Sequence, residues 1–225
     1  LFMPSSGMVS AGSNLAMWVK ADLGVTKDGG NNISTWADQG VLGNDLTGMN
    51  SPLWGDGQLN AKPVVRLTRA ASHYFTHPSM TLRTIFLVGK SSGATFSTYD
   101  GIFGASPGSH VLSAWSGTTG FNQGGATLTY ARKNGVGISF SSSVHSFAPI
   151  NEYWIGSFES PTAITQAGWF GQISGGGRYW DGDFAEVLVY STTLSVAERG
   201  AVESYLQNKY GLANPTNSTI SVTGA

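Results

Sequence analysis

Cysteine is absent from this 225-residue chain, which excludes disulfides, zinc–thiolate sites and thiol catalysis together. Charge is scarce as well. Charged residues make up 11% of the sequence, against a globular norm of about 25%, so Ser, Thr, Asn, Gln and Gly must cover the surface. Twelve Lys and Arg stand against 13 Asp and Glu, with no basic run to neutralise phosphates, and this argues against nucleic acid as a partner. No apolar run approaches the roughly 20 residues that a membrane-crossing helix needs, so no membrane span is expected. The catalytic fingerprints are missing too. There is no Gly-x-Ser-x-Gly, and Gly175-Gly176-Gly177 before Arg178 lacks the Lys-Ser/Thr ending of a phosphate loop. The start at Leu1, without Met or a basic–apolar leader, reads as a trimmed or processed chain, expected to be secreted, extracellular or at a cell surface.

What is present is β patterning. Short apolar or alternating runs, punctuated by Gly, Asn and Ser, recur at Leu15–Lys20, Pro63–Leu67, Thr84–Gly89, Gly101–Gly104, His110–Trp115, Ala126–Arg132, Val136–Phe140, Tyr153–Phe158, Gly168–Ile173 and Phe184–Tyr190. Asn134-Gly135 between two of them predicts a type I′ hairpin, whose turn needs positive φ twice. One segment departs from the rhythm. Ser195-Val196-Ala197-Glu198 is a capping box, Ala201, Val202, Tyr205, Leu206 and Tyr210 follow at helical spacing, and Gly211 can terminate. A helix over Val196–Tyr210 is predicted, packed on a sheet by its apolar face. All-β chains of this length fold as single units. The expectation is therefore an N-terminal segment over 1–14, one domain over 15–212 and a linker or terminal strand over 213–225.

Three blocks carry a family resemblance. "LAMWVKADLGV" (Leu15–Val25) with "ISTWADQGVLGNDL" (Ile33–Leu46), "KPVVRL" (Lys62–Leu67), and "GDFAEVLVYSTTLSVAERGAVESYLQNKYGL" (Gly182–Leu212) together resemble bacterial laminin G-like, concanavalin A-like domains of secreted and surface proteins. The loop Gln39–Gly43 departs from that pattern by lacking its Ser and first Gly. The resemblance implies an antiparallel jelly-roll β-sandwich with one C-terminal helix. It does not fix a function, because this fold carries lectins, adhesion modules, glycanases and spacers alike.

Three constellations bear on function. Asp181, Asp183 and Glu186 in "YWDGDFAEVLVY" resemble the Glu-x-Asp-x-x-Glu of jelly-roll glycanases, whose two carboxyls must lie about 5–5.5 Å apart for retaining hydrolysis. Without a bulge, the third carboxylate points away from the first two. The favoured reading is that Asp181 and Asp183 form a turn and Glu186 is a scaffold residue requiring a partner such as Arg66, Arg199 or a backbone amide. Asp38, Asn44 and Asp45 offer hard oxygen donors in a Gly-containing loop, which suits a structural Ca²⁺, although Asp and Asn also brace loops through their own backbone. Finally, seven tryptophans are available to stack on sugar rings. Trp54, Trp115, Trp169, Tyr179 and Trp180 lie in or beside polar loops, with Asn122 and Gln123 as hydrogen-bonding neighbours.

The sequence thus points to a non-catalytic module that binds a glycan or surface polysaccharide and requires no cofactor. A structural subunit, assembling with neighbouring copies by strand addition through its termini, is the alternative, and a jelly-roll glycoside hydrolase the second.

Overall fold

The computed structural model describes residues 14–105, 109–124, 126–173 and 177–212. The 1–13 and 213–225 segments, and with them the expected terminal strand, lie outside the described residues. The described chain forms an all-β antiparallel sandwich with one C-terminal helix.

Two strands explain how the layers join. β7 (Tyr74–Ser91) and β15 (Trp154–Phe170) are long enough to belong to both. The C-terminal half of β7 pairs with the N-terminal half of β15 through Thr84–Gly89 and Trp154–Glu159, while Phe75–His77 pairs with Gly168–Phe170. Between these stretches the register breaks, near Pro161 on one strand and Pro78 on the other. Proline has no N–H to give the ladder and is tolerated in sheets at such interruptions.

In the first layer, β7 and β15 are joined by β16 (Gly182–Tyr190), which pairs along its other edge with β6 (Lys62–Leu67) and β1 (Leu15–Lys20). β5 (Leu53–Leu59) continues beyond β6, and β11 (Tyr130–Lys133) with β12 (Val136–Gly137) continues beyond β15. The second layer runs β2 (Val25–Lys27), β3 (Ile33–Trp36), β4 (Leu46–Met49), β7, β15, β8 (Gly101–Ala105), β9 (Ser109–Ala114), β10 (Gly120–Asn122), β14 (Val144–Ser146), β13 (Phe140–Ser141). The Asn134-Gly135 turn joins β11 to β12 with φ of +51° and +79°, as its dipeptide predicts.

Period-2 alternation sorts the side chains into two cores. Between the layers lie Val187, Val189, Leu87, Trp154 and Phe158 from one side and Trp36, Phe75, Phe103, Phe121 and Phe170 from the other. The outer face of the first layer presents Phe86, Val88, Ile155, Leu188 and Tyr190 to the helix α1 (Val196–Tyr210), which buries Val202, Leu206 and Tyr210 against them. Each fully buried apolar side chain of this kind contributes roughly 1.5–3 kcal/mol. The predicted capping box is present in both directions. Glu198 N–H donates to Ser195 Oγ at 3.3 Å and Ser195 N–H to Glu198 Oε2 at 2.7 Å, and Gly211 closes the helix at φ +64°.

Candidate ligand-binding face

The carboxylate triplet comes first. Along β16, Phe184 faces Gly89 and Glu186 faces Val88, so Ala185 is an extra residue, a β-bulge. The bulge changes the alternation: Phe184 and Val187 point between the layers, whereas Ala185 joins the outer core and Glu186 bonds to the helix. Asp183 and Glu186 therefore share a face, contrary to the expectation for an unbulged strand. That face is covered. Glu186 is 0% exposed and accepts from Trp18 Nε1 (2.6 Å), Lys209 Nζ (2.7 Å), Tyr210 OH (2.8 Å) and Tyr205 OH (2.9 Å). Burial and the Glu186 charge push both phenols well above their usual range, which keeps them protonated donors. Lys209, and neither Arg66 nor Arg199, is thus the cation that partners Glu186.

Arg66 instead grips Asp183, at 2.7 Å from Nε and 3.0 Å from a terminal nitrogen, and Tyr153 OH adds a third bond at 2.8 Å. Asp183 is a buried strand residue and not part of a turn. The reason lies in Gly182: at φ +150°, and where a Cβ would collide with the Lys90 carbonyl, it brings the chain into the ladder two residues earlier than Phe184. Asp181 alone stays at the loop end, partly exposed, accepting the Arg69 N–H at 3.2 Å.

The Asp38 loop is braced by its own backbone. Asp38 accepts from the N–H groups of Trp18 and Gly40 (both 2.8 Å) and of Asn44 (3.0 Å), and Asp45 accepts from Asp38 N–H at 2.8 Å. Asn44 Nδ2 turns to the Ala16 carbonyl at 2.7 Å. Among the described residues no group of three His, Cys, Asp or Glu side chains is placed to hold a metal.

The aromatic candidates separate. Trp180 is 0% exposed, its ring packed at 5.0–6.4 Å from Phe184, Phe96, Phe121 and Trp154, which corrects the expectation of a loop ring available for stacking. Asn122 is likewise buried, at 1%, and receives the Ser113 hydroxyl at 3.2 Å. It lies on β10, inside the sandwich rim instead of on the loop that its neighbours suggested. Gln123 accepts the Ser160 hydroxyl at 2.6 Å. Trp54 is apart from the others, on β5, its indole N–H given to the Ala21 carbonyl at 3.0 Å and Lys27 Nζ resting 4.5 Å above the ring.

Trp169, Tyr179 and Trp115 remain partly exposed. Phe170 points into the core, so its neighbour Trp169 points out, on the solvent face of the second layer. Opposite it stands Thr76, and two residues before Thr76, on the same face, Tyr74. A diagonal neighbour at about 7–8 Å is within reach of an aromatic side chain. Tyr74 in turn lies 5.9 Å from the ring of Tyr179. Tyr74 and Tyr179 thus pair on the open face, with Trp169 at the diagonal position on the neighbouring strand. Beyond them, Tyr99 meets Trp115 edge-on at 5.3 Å and carries the Arg178 guanidinium at 5.1 Å.

Hydroxyls flank the rings. In cross-strand register across β2, β3, β4, β7 and β15 stand Thr26, Thr35, Thr47, Thr76 and Trp169, and the same row continues through Gly104 to His110. At about 4.8 Å per strand, the row measures roughly 30 Å. Gly104 is the position beside Trp169, and a Cβ there would meet Ile173. Tyr74 and the threonine row escaped the sequence reading because they lie in ordinary strand sequence. The alternation in Trp169-Phe170 and Tyr74-Phe75 is the available signal, one aromatic in and one out, but only the strand pairing places the outward members diagonally on neighbouring strands.

Searches of family models, curated proteins and solved structures find no match to the chain, so the laminin G-like resemblance rests on the three sequence blocks.

Proposed function

We propose that this chain is a non-catalytic carbohydrate-binding or adhesive module of an exported protein, and that it holds a glycan on the open face of its second layer. The observation that carries the reading is the run of outward rings Trp169, Tyr74 and Tyr179 bordered by the registered threonines. Sugar rings present C–H faces that rest on aromatic rings and hydroxyls that exchange hydrogen bonds with side-chain hydroxyls. A sheet face offers both at little backbone ordering cost, since its strands are already fixed by the ladder. The carboxylates expected of a hydrolase give no support to catalysis here: Glu186 and Asp183 are spent on Lys209, Arg66 and three tyrosines. Retardation of the protein in native gels containing soluble polysaccharides tests the reading. Binding that is lost in Trp169→Ala and in Tyr74→Ala, with unaltered circular dichroism, supports it, and binding unaffected by both removes this face from consideration.

A further inference from the structure

Beside the aromatic run opens a pocket of about 260 Å³, bounded by Arg69, Ser91, Ser92, Ser97, Asp100 and Asp181. That is below the 300–1,000 Å³ typical of drug-sized ligands. Its polar groups are fixed from behind. Asp100, 2% exposed, pairs with the Arg69 guanidinium and accepts the Thr98 hydroxyl at 2.7 Å. Arg69 also donates to the Ser97 hydroxyl and, through Nε, to the Tyr179 carbonyl at 3.2 Å, which ties the pocket to the last ring of the platform. Asp181 uses one carboxylate oxygen on the Arg69 N–H at 3.2 Å, and its second oxygen and the exposed Ser92 hydroxyl have no partner among the described residues.

From this geometry we infer that the pocket is a subsite for one neutral sugar ring, whose adjacent hydroxyls donate to Asp181 and bond to Ser92. This deepens, and rests on, the assignment of the open face to a glycan. Neutrality follows from charge: Arg69 is matched by Asp100, so Asp181 leaves the pocket net negative and a sugar carboxylate is repelled. The rings Trp169, Tyr74 and Tyr179 then hold further units of the same chain, and the pocket sets which ring is accepted.

Saturation-transfer difference NMR with the methyl glycosides of glucose, galactose, mannose and glucuronic acid tests the subsite. At least one neutral glycoside should give a signal that falls fivefold or more in Asp181→Asn and in Ser92→Val, both at exposed or half-exposed positions, while Trp54→Phe, a ring braced elsewhere, keeps it and the glucuronide gives none. No signal from any neutral glycoside, a signal indifferent to both pocket variants, or equal binding of the glucuronide overturns the inference. Polysaccharide gels run on the same proteins report on the open face separately: retardation lost in Trp169→Ala but retained in Asp181→Asn leaves the face assignment standing even if the subsite falls.

Discussion

Trp169 and Trp180 sit at the two ends of one loop and do opposite work. Trp180 fills the core among Phe96, Phe121, Trp154 and Phe184, so Trp180→Ala should cost about 3–5 kcal/mol in denaturant unfolding. Trp169→Ala removes a half-exposed ring and should stay within about 1 kcal/mol of the parent. The sequence placed both beside a Gly-rich loop and gave no means of ranking them, because burial is decided by which strand the loop returns to. Glu186 was more legible. An acid between apolar strand residues had to have a partner, but the identity of Lys209 depended on the docking of the helix. Breaking a buried pair from one side leaves the other charge stranded, so Glu186→Gln should destabilise the fold by about 3 kcal/mol, measurable as a lowered urea midpoint at unchanged slope.

At the scale of elements, local chemistry wrote the helix and the hairpin plainly. Ser195, Glu198 and Gly211 set the helix ends through groups within a few residues, and Asn134-Gly135 supplies the two positive φ values of its turn. Ser195→Ala should remove about 1 kcal/mol by thermal melting, since one end of the capping box is lost. The long strands were less legible. Thr84–Gly89 stands within β7, Tyr153–Phe158 largely within β15 and Gly168–Ile173 by its first half only, because Pro78 and Pro161 read as breaks where the chain only bends from one layer to the other. The Ala185 bulge was invisible for a related reason. An inserted residue shows itself only against the register of a partner strand, yet it decides that Glu186 faces the helix.

For the molecule as a whole, acid sensitivity follows from its histidines. Burial lowers the affinity of His73, His77 and His110 for a proton, with the Arg178 charge adding to the effect at His110 and the bond to the Pro78 carbonyl opposing it at His77. In the fold these rings take up a proton less readily than in the unfolded chain, where histidine protonates near pH 6.5. Below that value the unfolded state binds more protons, so stability is full above it and declines as pH falls toward the lower folded values. The urea midpoint should drop between pH 7.5 and 5.5, and His77→Gln should flatten part of that slope.

The layered architecture has a functional consequence. Among the described residues the helix covers one outer face of the sandwich, and the other, with its threonine row and its rings, is left partly or fully exposed. That open face is the centre of the proposed glycan binding. Its most direct test is titration of the protein with soluble polysaccharide in affinity gels, comparing the parent with Trp169→Ala and with Trp54→Phe, which alters a ring braced elsewhere. Trp169→Ala should weaken binding tenfold or more, a loss of about 1.4 kcal/mol, while Trp54→Phe should bind like the parent. Equal binding by Trp169→Ala, or failure of the folded parent to bind any polysaccharide in the panel, would contradict the proposed glycan binding.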